Sequence, residues 1–162
     1  MSTASGRDRV CGDVDAGGRD PQPEMPVSLK PEHVGISVKD LEASVLWYRE
    51  MLGFSVDKVV DVPDDVGRVA LLSQGDFRVE LFEIPGAAPL PDDRRFPDRD
   101  LRTHGIKHMA YAVPDVAALM ARLKSRGVEI AWDVTVHDGF TVAFVRDNSG
   151  NLVELVERPE LW

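Results

Sequence analysis

The feature that most restricts how this chain can fold is an internal repeat. His33-Val34-Gly35-Ile36-Ser37-Val38-Lys39-Asp40-Leu41 is matched by His108-Met109-Ala110-Tyr111-Ala112-Val113-Pro114-Asp115-Val116. Each segment opens with a histidine, alternates through a short strand and reaches an Asp placed to cap a following helix. The helices carry apolar residues at helical spacing: Leu41, Val45, Tyr48 and Leu52 in one, Val116, Leu119, Met120 and Leu123 in the other. Both end at a glycine, Gly53 and Gly127, suited to the left-handed residue that closes a helix. Strand-like runs follow at 54–60, 68–72 and 77–82 in the first half and at 128–132, 141–145 and 152–156 in the second. His33 recurs as His108 and Glu80 as Glu154 at nearly equal separation, so duplication is the simplest account. The predicted fold class is α+β, two tandem β-α-β-β-β modules.

Composition sets the boundaries around this repeat. Residues 1–28 are rich in Gly, Asp, Arg, Ser and Pro and lack aromatic residues, which predicts a disordered extension, with Met25 as an alternative start. One domain over 29–157 then holds the repeats 29–84 and 104–157, and 158–162 form a short tail. The link between the repeats carries Arg94, Arg95, Arg99 and Arg102, offset by Asp92, Asp93, Asp98 and Asp100. It reads as a solvated loop rather than an anion clamp, with His104 exposed in it. Across the 162 residues, 19 Lys and Arg stand against 28 Asp and Glu, a net charge of -9, which disfavours nucleic acid as a partner. No apolar run approaches a membrane span or a signal peptide. A single cysteine, Cys11, excludes an internal disulfide and a cysteine-rich zinc site. A cytoplasmic location is the expectation.

Strand alternation identifies the chemistry-bearing face, because residues two apart point the same way. His33, Gly35 and Ser37 share one face and Val34, Ile36 and Val38 the other; His108, Ala110 and Ala112 oppose Met109, Tyr111 and Val113. Small residues beside each histidine leave room for a cavity. In the last strand of each half, Glu80 sits between Val79 and Leu81, and Glu154 between Val153 and Leu155. A carboxylate so flanked is costly to bury unless it is paired or bound to a metal. Two His and two Glu supply two nitrogen and two oxygen ligands for a divalent ion such as Ni, Co, Zn, Fe or Mn. His137, before Asp138-Gly139, reads as a turn residue, with a proton carrier over the cavity as the second reading.

These residues also carry a family resemblance. His33-Val34-Gly35-Ile36-Ser37-Val38, Trp47-Tyr48-Arg49, Leu52-Gly53-Phe54, Val79-Glu80-Leu81-Phe82, Ile106-Lys107-His108-Met109-Ala110 and the run Asp147 to Leu155 resemble the glyoxalase/bleomycin-resistance/ring-cleaving dioxygenase superfamily, the vicinal oxygen chelate proteins. The resemblance implies two modules forming a cupped, half-open mixed sheet around a metal site. It places the metal ligands on His33, Glu80, His108 and Glu154, with a small-molecule substrate chelated through two neighbouring oxygens. It also implies a homodimer, into whose interface Leu161-Trp162 could pack.

Within that superfamily the ligand set resembles glyoxalase I and methylmalonyl-CoA epimerase. Both remove a proton next to a carbonyl through a metal-stabilised enediolate, and Glu154 or Glu80 would be the base. The chain departs from both. Ser37 stands where glyoxalase I has an arginine for glutathione, and Asp64 or Asp65 would have to replace an epimerase glutamate. An Fe(II) extradiol dioxygenase is the rival enzyme, although Glu80 crowds its two-His, one-carboxylate arrangement. A non-enzymatic sequestering protein would show no metal dependence.

Overall fold

Each module starts from a strand whose apolar side is ready-made for a helix to cover. The computed structural model describes residues 29–137 and 139–162; the expectations for 1–28, Cys11 and Met25 among them, lie outside the described residues. In the first module β1 (Val34–Ser37) leads to α1 (Leu41–Leu52), β2 (Ser55–Val62), β3 (Gly67–Gln74) and β4 (Phe77–Glu83). After the link, with its short helix α2 (Pro97–Asp100), the second repeats this as β5 (Met109–Val113), α3 (Val116–Ser125), β6 (Ile130–His137), β7 (Phe140–Arg146) and β8 (Leu152–Glu157). The strands form two four-stranded mixed sheets of identical topology, β1-β4-β3-β2 and β5-β8-β7-β6. In each, the first strand runs parallel to the last and the remaining pairs are antiparallel.

The helix starts are built twice in the same way. Asp40 accepts a hydrogen bond from Ala43 N at 2.9 Å, and Asp115 accepts one from Ala118 N at 2.8 Å. A second carboxylate, from the last residue of the module's last strand, reaches the first helical N–H. Leu41 N donates to Glu83 Oε1 and Val116 N to Glu157 Oε2, both at 3.0 Å. Two of the unpaired donors at each helix start are thereby satisfied. Gly53, at φ 79°, closes α1; α3 ends one residue earlier than the repeat predicts, with Arg126 as cap and Gly127, at φ 75°, just beyond.

Alternation then sorts the side chains. Leu72, Val79, Leu81, Ala143, Val145, Val153 and Leu155 are buried and join Leu41, Tyr48, Val116, Met120 and Leu123 in one core within the unit Glu32–Trp162. Each fully buried Leu contributes about 2 kcal/mol. The other face of each sheet carries Gly35, Glu80 and Leu71 in one row and Ala110, Glu154 and Phe144 in the other. The faces bearing the acids are therefore turned away from the shared core.

The link is more ordered than a solvated loop. Asp100, 1% exposed, lies against Arg94 and, at 3.4 Å, Lys107. The buried Arg146 donates to Arg95 O at 2.7 Å and stacks over Phe96, its guanidinium carbon 5.0 Å from the ring centre. Among the described residues no helix is long and apolar enough to cross a membrane.

Candidate active site

Both histidines sit one residue ahead of their strands, His33 before β1 and His108 before β5. Parallel pairing places Gly35 opposite Glu80 and Ala110 opposite Glu154, so each histidine rises beside the glutamate of its own module. His33 Nε2 lies 3.2 Å from Glu80 Oε2, and His108 Nε2 lies 2.9 Å from Glu154 Oε2. All four side chains keep partial exposure.

The four residues form two pairs and not one set. Among the described residues no three of them come within 4.8 Å of one another; the one cluster that does is Asp40, Glu42 and Glu83. Its oxygens are already engaged: Asp40 and Glu83 cap α1, and Glu42 and Glu83 face Arg68.

Three neighbours of these pairs escape a reading of the repeat. Glu32 meets His33 Nδ1 on one side and Arg78 on the other. The hydrogen bond that His33 donates to Glu32 holds His33 above the ordinary imidazole range, and His33 together with Arg78 holds Glu32 below the usual carboxylate range. The repeat is silent here because Lys107 occupies the equivalent place. Phe144 and His108 meet in a T-shaped arrangement, with ring centres 5.1 Å apart and planes at 86°, and Trp132 stacks on Phe144 at 6.1 Å. The signal for these two was strand parity in β6 and β7, hidden by irregular register in β6.

The remaining sequence candidates lie elsewhere. His104 is exposed in the link, and His137 ends β6 as a strand residue instead of standing in a turn. Asp64 is exposed in the turn before β3, in the left-handed region at φ 62°; the Asp65 side chain lies outside the described residues. Three of the four link arginines are occupied internally, Arg94 with Asp100 and Ile106 O, Arg95 with Glu129 at 3.1 Å, and Arg99 with Asp93 at 3.9 Å, while Arg102 is exposed. A cleft of about 1220 Å³ runs between β1, the link and the β7–β8 turn; of the four candidates only His108 lines it.

Residues 30–155 match the model of the Glyoxalase/Bleomycin resistance protein/Dioxygenase superfamily. The chain belongs to that superfamily. It is 33% identical over 130 residues to an ethylmalonyl-CoA/methylmalonyl-CoA epimerase of Cereibacter sphaeroides, covering 76% of this chain and 93% of that relative. A lactoylglutathione lyase of Arabidopsis thaliana is 27% identical over 132 residues, covering 78% of this chain and 43% of the relative. Among solved structures, the glyoxalase I of Leishmania major superposes with a TM-score of 0.65 at 29% identity, covering 83% of this chain and 90% of that one. A glyoxalase family protein from Enterococcus faecalis gives 0.68 at 26% identity, with coverage of 79% and 97%. The superfamily's relatives of this chain thus include named isomerases and lyases.

Proposed function

We propose that this protein is a metal-dependent isomerase or lyase that moves a proton at the carbon next to a carbonyl. The substrate is a small hydroxycarbonyl compound or an acyl thioester, and His33, Glu80, His108 and Glu154 are the ligand set. The observation that carries the reading is the duplicated pair, imidazole nitrogen to carboxylate oxygen at 3.2 and 2.9 Å, each with a small residue, Gly35 or Ala110, opposite its glutamate. Two imidazole nitrogens and two carboxylate oxygens suit nickel, cobalt, zinc, iron or manganese. A cation held there would supply a Lewis acid for the negative charge that develops on the carbonyl oxygen.

The chain's own residues supply the rest. Glu154 or Glu80 accepts the proton and returns it, since each is half-buried, flanked by core residues in its strand and set on the acid-bearing face of its own sheet. Ala110, exposed on its strand, leaves room above the second sheet for the reacting carbon, whereas the Phe82 ring packs beside Gly35 in the first. Because the two pairs do not converge within one chain and both face away from the core, a second copy is the natural source of the complementary pair. A homodimer is therefore part of the reading. The names of the epimerase and lyase relatives support the reaction class.

The test has two arms. Full-length protein purified without oxygen is assayed for metal, then incubated in deuterium oxide with a 2-substituted malonyl-CoA and with a small hydroxycarbonyl compound. Bound divalent metal and metal-dependent exchange of the proton beside the carbonyl are expected, with exchange lost in Glu154→Gln or Glu80→Gln. Oxygen uptake with ferrous iron and a catechol would point to ring cleavage instead, and tight ligand binding indifferent to a chelator to a sequestering protein.

A further inference from the structure

The two modules repeat their His–Glu pair but not the wall beside it. Across the first sheet the row through the acid reads Gly35, Glu80, Leu71, Lys58; across the second it reads Ala110, Glu154, Phe144, Trp132. In the second, aromatic contacts run without a break from the acid outward: Glu154 to His108 at 2.9 Å, His108 to Phe144 at 5.1 Å, Phe144 to Trp132 at 6.1 Å with ring planes 25° apart. Phe144 is enclosed by this stacking at 6% exposure, whereas Trp132 keeps 46% of its surface open. The β6 register shifts on both sides of Trp132, between Ile130 and Trp132 and again between Trp132 and Thr135. Bulges of this kind re-aim a single side chain at a sheet rim. Trp132 is an edge-strand residue held by its ring contact with Phe144 and left with nearly half of its surface open.

We infer that Trp132, seated on Phe144, is the specificity-determining wall of the reacting site and selects substrates that carry a planar, aromatic group on the carbon framework next to the chelating oxygens. The inference rests on the proposed metal-site reading. Adjacent strands are about 4.8 Å apart, so Trp132 stands about 10 Å across the sheet from Glu154. A methyl substituent on a carbon held over His108 and Glu154 stops short of the indole; an aryl group extends past the enclosed Phe144 toward the part of Trp132 that stays open. An aromatic ring gains on such a surface both by excluding water and by the stacked geometry that ring pairs favour.

The probes are acetohydroxamic and benzohydroxamic acid, which offer the same two neighbouring oxygens and differ in methyl against phenyl. Their affinities are measured calorimetrically on cobalt-loaded full-length protein, alongside its metal content and oligomeric state. Benzohydroxamate is expected to bind about tenfold more tightly. Trp132→Ala abolishes that preference while metal content, oligomeric state and acetohydroxamate affinity stay unchanged, and Trp132→Phe restores most of it. An equal affinity for the two probes, or a preference that survives Trp132→Ala, overturns the wall and leaves the metal reading standing. A change of oligomeric state in Trp132→Ala also overturns it, by assigning the indole to an interface. A protein that binds neither cobalt nor either probe overturns the metal reading and the wall together.

Discussion

The Tyr48 hydroxyl, in the helix of the first module, donates to Asp147 Oδ2 at 3.2 Å in the turn between β7 and β8 of the second. Both side chains are buried, and Asp147 also accepts from Ser149 N, Asn151 N and Asn151 Nδ2, each at 2.8 Å. The same turn touches the first module's edge strand, where Asn151 Nδ2 donates to Ser37 O at 3.4 Å and Lys39 N to Ser149 Oγ at 3.0 Å. One buried carboxylate thus ties together the modules that carry the two His–Glu pairs.

Removing that hydroxyl has a signed pH signature. Burial raises Asp147 above the ordinary carboxylate range, opposed by the hydrogen bonds from Asn151, Ser149 and Tyr48. A raised acid binds its proton more tightly when folded, so the stability it contributes is complete below the unfolded pKa and is lost as pH rises through the folded value. Tyr48→Phe takes away a bond to the ionised form. It is expected to cost about 1–3 kcal/mol near neutral pH and less in acid, read from urea midpoints across the titration. A cost that does not change with pH would separate Tyr48 from the ionisation of Asp147.

The proposed ligand set makes a sharper demand. Glu80→Gln and His108→Ala, one from each pair, should each bring the metal content of purified protein well below that of the wild type, with the fold retained by circular dichroism. Full metal content in either variant would remove that residue from the set.

Glu32 tests the asymmetry between the pairs. Its contact with His33 Nδ1 leaves Nε2 turned toward Glu80, and a carboxylate so placed orients a metal-binding imidazole. Glu32→Gln should weaken metal affinity about 10–100-fold in a chelator competition. Lys107→Gln, altering the equivalent residue ahead of His108, should leave that competition near the wild-type value.

The link supplies a stability prediction. Asp100→Ala would leave Arg94 and Lys107 facing an apolar gap, at an expected cost of about 3 kcal/mol by urea denaturation. Asp98→Ala, an exposed neighbour in the same helix, should change stability by less than about 0.5 kcal/mol.

The repeat was legible in the sequence because period and capping are local properties. Alternation separates Glu80 from Val79 and Leu81 whatever the sheet later packs against, and Asp40 and Asp115 announce their helices through side chains that reach only three residues on. Strand ends and the last turn of α3 shifted by a few residues, since pairing partners set those limits. What no local pattern contains is which surfaces meet. The burial of Asp100 depends on Arg94 and Lys107 folding around it, and the Tyr48 contact with Asp147 depends on how one module docks on the other. Sequence alternation put the histidines and glutamates on matching faces. Tertiary structure decided that they stand as two separate pairs, because each histidine lies against the glutamate of its own module and the shared core claims the opposite face of both sheets.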